Sequence, residues 1–222
     1  MTSIKICGIS CPDMAREAVH AGANMIGLVF HPASPRYVTV DAAREIARVT
    51  RENGGIPVGI FVNHSADEMI EICEMTEIQT LQLHGDTARA QQHLLPDHYQ
   101  RIYVQAVLEN GELQHDASLH TLNPERDFIL FDHCDPGSGK PFPWGTFHHD
   151  LPFRWLLAGG LNAANVVSAI QQLQPDGVDV SSGVERERGK KDIGLIRKFI
   201  DAVHEESLPP PGEGAQRAEG GI

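Results

Sequence analysis

Short apolar runs alternate along this chain with longer stretches in which apolar residues recur every three or four positions. The runs are rich in β-branched residues, which favours strands, and the longer stretches have the spacing of helices with one buried face. Eight runs predict strands, at Ile4–Cys7, Met25–Phe30, Val58–Val62, Thr80–Leu83, Tyr103–Ala106, Phe128–Phe131, Trp155–Ala158 and Gly177–Val180. The helical patterns cover Met14–Ala21, Ala42–Thr50, Asp67–Met75, Thr87–Leu94, a poorly defined 111–120, a weak 144–150, Ala163–Gln172 and Ile193–Glu206. Strands that alternate with helices indicate an α/β protein with a parallel sheet.

The number and spacing of these units favour a closed barrel. The last sixteen residues, 207–222, hold three prolines and four glycines. We therefore expect a disordered tail there and a single domain over residues 1–206. Eight units of about 26 residues fit a small (β/α)8 or TIM barrel with a parallel eight-stranded core. An open doubly wound sheet is the alternative, but the first strand is followed by CGISCP instead of the Gly-x-Gly-x-x-Gly turn typical of that fold.

Charge and composition narrow the classes of partner. The 222 residues include 18 Lys and Arg against 30 Asp and Glu, a net charge of −12 that would repel nucleic acid and anionic membranes. No apolar segment is long enough for a membrane span or a signal peptide, so we expect a cytoplasmic protein with no nucleic-acid or membrane partner. The sequence does not indicate whether the chain has protein partners. The four cysteines are then expected to be thiols.

Three predicted strands end in side chains that can transfer protons. In TIM barrels the reacting groups lie at the carboxyl ends of the strands. Cys7 ends the first strand, where a thiol near a cation could ionise, although most free cysteines are small buried apolar groups. Asp132 follows the apolar run FILF, which could raise its pKa as a general acid requires, or it could be an ordinary loop carboxylate. His84 ends the fourth strand, either as a pocket donor or as a satisfied group at the core edge.

Three loops could bind anionic groups. Two prolines stiffen the loop HPASPRY, which presents Arg36. Arginine binds carboxylates through two parallel hydrogen bonds, although a solvated surface charge is the alternative. Gly159 and Gly160 follow the seventh strand, and Ser181–Gly183 follows the eighth. Backbone N–H groups at these two loops commonly bind phosphate in TIM barrels without needing a net positive charge. The sequence thus predicts a small phosphorylated substrate. Cys7 and Cys11 form a C-x3-C pair without matching histidines, so no metal site is predicted.

Several motifs, in order and spacing, are similar to those of the phosphoribosylanthranilate isomerases of tryptophan biosynthesis. They are KICGI, GLVF, SPRY, GIFVN, QLHG, GGLN and DVSSGVE, between Lys5 and about Lys191. The resemblance implies a TIM barrel without metal or organic cofactor. It also implies an Amadori rearrangement of N-(5-phosphoribosyl)anthranilate to 1-(2-carboxyphenylamino)-1-deoxyribulose 5-phosphate.

The resemblance also implies roles for individual residues. Cys7 matches the general base, Asp132 the general acid and Arg36 the residue that binds the anthranilate carboxylate. The remaining matches are pocket or phosphate-binding residues: His84, Asp179, Gly160, Ser181, Ser182 and Gly183.

One segment departs from the family pattern. The loop after Asp132 contains Pro136, Pro141 and Pro143 where the family commonly has a glycine-rich segment leading to Lys, Phe, Asp and Trp. Because proline fixes φ, a stiffer loop would affect closure over the substrate more than the identity of the reaction. Two alternatives stay open, a non-catalytic barrel that binds phosphosugars and an enzyme for a different phosphosugar. An oxidoreductase is disfavoured because no dinucleotide-binding motif follows any strand.

Overall fold

The computed structural model describes residues 2–114, 117–134 and 141–206. Met1, residues 115–116 and 135–140, and the predicted tail 207–222 lie outside the described residues. Pro136 falls in one of these ranges, whereas Pro141 and Pro143 are described.

Eight parallel strands form a closed barrel in which each strand pairs with the next and the eighth pairs with the first. The strands are β1 (Ser3–Cys7), β2 (Met25–Val29), β3 (Ile56–Phe61), β4 (Thr80–Leu83), β5 (Gln100–Val107), β6 (Phe128–His133), β7 (Arg154–Leu157) and β8 (Gly177–Val180). The barrel closes between β1 and β8 in a register that sets Lys5 opposite Asp179. The predicted TIM barrel is confirmed.

Within the described ranges, six helices surround the barrel: α1 (Pro12–Ala21), α2 (Val40–Glu52), α3 (Ala66–Thr76), α4 (Asp86–Ala90), α5 (Val166–Leu173) and α6 (Ile193–Glu206). Local signals explain where several of them begin. Pro12 stands in the first turn of α1, where its missing N–H is not needed. Ser65 and Glu68 form a reciprocal capping box at the start of α3. A short antiparallel hairpin, β9 (Glu185–Glu187) with β10 (Lys190–Lys191), follows β8 and was not predicted.

The two weakest helix predictions are wrong for the described residues. In place of a helix over 111–120, the chain turns back onto β5, where Gln114 N–H donates to the Ala106 carbonyl at 3.0 Å, and a 3-10 turn follows at Ala117–Thr121. In place of a helix over 144–150 there is a 3-10 turn at Trp144–Thr146 that begins after Pro143. The apolar residues of these segments have too irregular a spacing to bury one helix face.

Side chains alternate between the two faces of each strand. On β1, Ile4 and Ile6 belong to the large core between barrel and helices, whereas Cys7 belongs to a separate small cluster. On β6, Ile129 and Phe131 face the same outer core. A second apolar cluster fills the barrel itself: Met25, Val58, Ile102, Val104, Leu130, Leu156 and Ala158. The residues that alternate with these outward-facing positions therefore point into the barrel. They include the chemically active residues at the strand ends.

Candidate active site

A buried ion pair occupies the barrel interior beneath the strand ends. Lys5 is fully buried, and its Nζ lies 2.7 Å from Oδ1 of Asp179 on the neighbouring strand. Burial alone would lower the pKa of Lys5, but Asp179 and Cys7 raise it above its usual value. The ammonium therefore stays charged, and the pairing offsets the desolvation of both groups. This pair is the electrostatic centre around which the other predicted residues lie.

Cys7 ends β1 two residues after Lys5, on the same face of the strand. Its side chain is buried, and burial raises the pKa of the thiol. Lys5, Lys191 and Arg36 act in the opposite direction, whereas Asp179 adds to the increase. The resting thiol is therefore neutral, but three nearby cations are available to stabilise a thiolate when one forms.

Asp132 ends the apolar segment of β6 and interacts with the same ion pair. Burial, together with the negative charge of Asp179, raises the pKa of Asp132 to about 7. The backbone N–H of His133 donates to its Oδ1 at 2.8 Å and opposes this increase. A Cβ on Gly159 would lie 3.0 Å from the same oxygen, so the loop after β7 packs directly against the carboxyl. Near neutral pH a large fraction of Asp132 is protonated and can donate a proton.

His84 follows β4, and its imidazole is neutral at neutral pH. Burial lowers its pKa to about 4, and Asp179 and Lys5 are the next strongest influences. Its Nδ1 lies 3.4 Å from the amide nitrogen of Gln82, which precedes it on the same face. The structure thus brings Cys7, Asp132, His84 and Asp179 together around one lysine, as their strand-end positions predict.

Arg36 approaches this group from the loop after β2. Its side chain crosses Gly8, where φ is +81° and an added Cβ would lie 2.5 Å from Arg36 Cδ. Glu185 binds the guanidinium through two parallel hydrogen bonds, from Nε to Oε1 at 2.6 Å and from Nη2 to Oε2 at 2.9 Å. The predicted carboxylate-binding arginine therefore lies beside Cys7, but one of its edges is already occupied by a carboxylate of the protein.

The predicted phosphate loops after β7 and β8 pack on each other. An added Cβ at Gly183 would lie 1.9 Å from the carbonyl oxygen of Leu161, so only glycine permits this approach. Gly160 has a φ of +65°. In the described part of the chain, the N–H groups of Gly160, Ser182 and Gly183 have no hydrogen-bond acceptor. Donors of this kind at strand-to-helix turns bind phosphate oxygens.

Ser181 differs from its neighbours. Its hydroxyl donates to the carbonyl of Cys7 at 3.1 Å and accepts from Lys191 Nζ at 3.2 Å. This side chain therefore serves the protein framework and ties the loop after β8 to the end of β1.

Comparison with known proteins identifies the family of this chain. A family model described as N-(5'phosphoribosyl)anthranilate (PRA) isomerase matches residues 4–202. The chain belongs to this isomerase family. It is 40% identical over 201 residues to the N-(5'-phosphoribosyl)anthranilate isomerase of Chlamydia felis, across 90% of this chain and 96% of the relative.

Solved structures of the family have the same fold. The phosphoribosyl anthranilate isomerase of Thermotoga maritima is 32% identical with a TM-score of 0.75, and the match covers 92% of this chain and 100% of that one. A structure of the isomerase in complex with reduced 1-(o-carboxyphenylamino)-1-deoxyribulose 5-phosphate is 31% identical with a TM-score of 0.72, again over 92% and 100% of the two chains. The resemblance predicted from the sequence motifs is confirmed.

Three charged residues of this isomerase site were missed in the sequence. Lys5 carries a signal in retrospect, since a lysine within the apolar strand SIKIC alternates with Ile4 and Ile6 and so shares the inner face with Cys7. Glu185 ends the motif DVSSGVE, but neither it nor Lys191 has a local pattern that indicates its contacts, because their positions depend on the β9–β10 hairpin.

The described residues also bear on metals and membranes. Within residues 2–114, 117–134 and 141–206, no three His, Cys, Asp or Glu side chains are grouped so that they could hold a metal ion. No helix in the same ranges has the length and apolar character needed to cross a membrane. Cys11 is exposed whereas Cys7 is buried.

Proposed function

We propose that this chain converts N-(5-phosphoribosyl)anthranilate to 1-(2-carboxyphenylamino)-1-deoxyribulose 5-phosphate, the isomerisation that its family performs in tryptophan biosynthesis, with Asp132 as general acid and Cys7 as general base. One observation carries the residue assignment. Asp132, with a pKa of about 7, and Cys7, with cations nearby, both lie next to the Lys5–Asp179 ion pair. An acid and a base that act in sequence on one sugar need this arrangement.

Asp132 acts first in this proposal. Its proton passes to the furanose ring oxygen as the bond from that oxygen to C1 breaks and the nitrogen lone pair forms a Schiff base at C1. Asp132 becomes a carboxylate, which Lys5 stabilises and Asp179 destabilises. The raised pKa leaves a much larger fraction of the carboxyl protonated at neutral pH than in an exposed aspartate, so more of the protein can donate this proton.

Cys7 acts second. Its thiolate removes the proton from C2, and the electron pair of that bond moves toward the cationic nitrogen to give an enolamine. Protonation of C1 then gives the aminoketose, and loss of a proton from the C2 hydroxyl completes the carbonyl, so that substrate and product contain the same atoms. The cations of Lys5, Lys191 and Arg36 favour the thiolate against the effect of burial.

The substrate carries one carboxylate and one phosphate, and the site has separate donors for each. Arg36 lies beside Cys7 and is proposed to bind the anthranilate carboxylate. The N–H groups of Gly160, Ser182 and Gly183, in the loops after β7 and β8, are proposed to bind the phosphate. Backbone donors need no countercharge, which fits a chain with a net charge of −12.

Anthranilate fluorescence tests the reaction and the two residues together. Freshly made phosphoribosylanthranilate is mixed with wild type, Cys7→Ala, Asp132→Ala and the control Cys73→Ala, which removes another buried thiol on α3. We expect kcat to fall by about 10²- to 10⁴-fold in the first two variants and to stay at the wild-type level in the control. Near-normal turnover by Cys7→Ala would refute its assignment. A folded wild type that binds the reduced product analogue without turnover would instead support a non-catalytic barrel.

A further inference from the structure

Glu185 accepts four hydrogen bonds although its side chain is only 4% exposed. Arg36 donates two of them, Lys191 Nζ donates to Oε1 at 2.8 Å and the Gly189 N–H donates to Oε2 at 3.1 Å. Burial alone would raise the pKa of Glu185, but the bonds from Arg36 and Lys191 lower it to about 2. The carboxylate is therefore permanently charged and is held in one orientation by partners on both of its oxygens.

The geometry decides which part of Arg36 is left for a ligand. A guanidinium has five N–H groups and offers a carboxylate two edges with parallel donors, the Nε/Nη2 edge and the Nη1/Nη2 edge. Glu185 occupies the first edge, through Nε and Nη2. The second edge is the one on which a further carboxylate can form two parallel bonds.

Packing around Arg36 leaves it little freedom. Its aliphatic stem lies against the backbone of Gly8, where an added Cβ would come within 2.5 Å of Cδ. Pro35, the residue before Arg36, is held by the hairpin turn at Gly189. An added Cβ on Gly189 would come within 2.6 Å of the Pro35 carbonyl oxygen. With the stem and the loop held by packing, the orientation of the guanidinium depends on Glu185.

Lys191 supports Glu185 in turn. Its side chain is 3% exposed, and all three ammonium protons are used: by Oε1 of Glu185, by the Ser181 carbonyl at 2.9 Å and by the Ser181 hydroxyl at 3.2 Å. The set of Arg36, Lys191 and Glu185 has two positive charges and one negative charge. The remaining positive charge equals that needed to neutralise one carboxylate.

We propose that Glu185 is the positioning residue for carboxylate recognition, which holds Arg36 by its Nε/Nη2 edge so that the Nη1/Nη2 edge faces the substrate's benzoate group. This inference rests on the proposed function, in which Arg36 binds that group. Glu185 itself has no contact with the substrate in this arrangement. Its effect on binding should therefore depend on whether the ligand has a carboxylate.

A comparison of two ligands tests this dependence. One is reduced 1-(o-carboxyphenylamino)-1-deoxyribulose 5-phosphate and the other is its anilino counterpart without the carboxylate, each titrated by calorimetry into wild type and Glu185→Gln. Glutamine has the same size as glutamate, but an NH₂ group replaces one carboxylate oxygen. That NH₂ group would face an N–H donor and could not accept its hydrogen bond. We expect Kd for the carboxylated ligand to rise about 10- to 100-fold and Kd for the anilino ligand to change less than about threefold. In turnover, KM should rise much more than kcat falls.

A surface pair provides the matched control. Arg48 binds Glu45 through the same two guanidinium atoms, at 2.9 and 2.6 Å, with both side chains about 50% exposed on α2. Glu45→Gln should leave both Kd values unchanged. If Glu185→Gln does not fold, Glu185→Asp keeps the charge, moves the carboxylate by one methylene, and should show the same selectivity with a smaller loss.

The outcomes separate this inference from the function it rests on. Equal loss of affinity for both ligands, or no loss for either, would overturn the positioning role while the isomerase assignment stands. A folded wild type that neither turns over phosphoribosylanthranilate nor binds the carboxylated ligand would refute the proposed function, and the positioning role with it.

Discussion

Asp132→Asn should stabilise the protein at alkaline pH while it abolishes most of the activity. The folded protein holds the pKa of Asp132 at about 7, against a usual value of 3.8. Below about pH 4 the carboxyl carries a proton in both the folded and the unfolded chain, so it has no effect. As the pH rises the unfolded chain loses this proton first, so the free energy of unfolding decreases until the folded carboxyl has also ionised, above pH 7. Asparagine carries no charge and has no such penalty.

The size of the effect follows from the pKa difference. A difference of about three pKa units corresponds to about 4 kcal/mol, and partial exposure of the carboxyl reduces this to an expected gain of about 2 to 4 kcal/mol at pH 8.5. At pH 5 only about a third of the gain should remain. The loss of stability in wild type accumulates as the pH rises from the lower pKa to the higher one, and pH 5 is only about one unit above the lower. The asparagine oxygen can still accept the 2.8 Å bond from the His133 N–H, so no hydrogen bond is lost.

Urea unfolding between pH 5 and pH 8.5 measures this difference, with two control variants. Asp201→Asn removes one exposed charge from α6 and should change the free energy of unfolding very little at any pH. Asp127→Asn should have the opposite sign, because Arg126 and the N–H groups of Asn123 and Arg101 outweigh burial and lower the pKa of Asp127. An Asp132→Asn protein no more stable than wild type at pH 8.5, or stabilised equally at all pH values, would refute the reasoning.

Two further predictions concern the rate and the arginine loop. For wild type, kcat/KM should rise through about pH 7 as Asp132 and Cys7 together lose one proton, and fall above pH 9 as they lose the second. In Asp132→Asn the rise near pH 7 should be absent. If the variant still showed this rise, the titration near pH 7 would belong to another group. Gly8→Ala should raise KM and destabilise the protein by about 1 to 3 kcal/mol, because it adds a Cβ against Arg36 at a positive φ. Gly54→Ala has similar strain with open space around it, so it should destabilise without a change in KM, and an equal KM effect in both would contradict the proposed contact.

The barrel could be predicted from the sequence because its strands carry a strong local signal. Segments such as FILF and GLVF are short, apolar and rich in β-branched or aromatic residues, and they recur at intervals that only a few folds accommodate. The strand-end positions of Cys7, Asp132 and Asp179 follow from the same pattern, since parallel strands bring their carboxyl ends to one face. Their mutual proximity is therefore a consequence of topology rather than of long-range sequence detail.

The parts that could not be predicted depend on contacts between distant segments. Arg36 and Glu185 are 149 positions apart, and nothing in the local sequence of either one indicates the other. Likewise, residues 111–120 pair with the end of β5 instead of forming a helix, because backbone hydrogen bonds to that strand are available once the barrel has formed. Local propensity is a weak guide wherever tertiary hydrogen bonds compete with it.

The protonation of the proposed acid and base is best considered for the pair as a whole. Lys5 lowers, and Asp179 raises, the pKa of both Cys7 and Asp132. With one proton between them, the proton resides mainly on Cys7, because the pKa of the thiol is the higher of the two. The reactive arrangement, a thiolate with a protonated carboxyl, contains the same single proton and is its minor tautomer, so the pH range of activity is set by the pair and not by either group alone.

The local charge at the mouth is far less negative than that of the whole chain. Lys5, Arg36 and Lys191 contribute three positive charges there, and Asp179 and Glu185 contribute two negative ones, in a chain whose net charge is −12. Asp132 adds a third negative charge when it is ionised. The first five side chains are buried or nearly so, where the interaction with a bound anion is screened less than at the surface. An anionic substrate is therefore favoured by fixed charges within a few ångströms rather than by the long-range field, which explains how an acidic protein can hold a ligand with both a carboxylate and a phosphate.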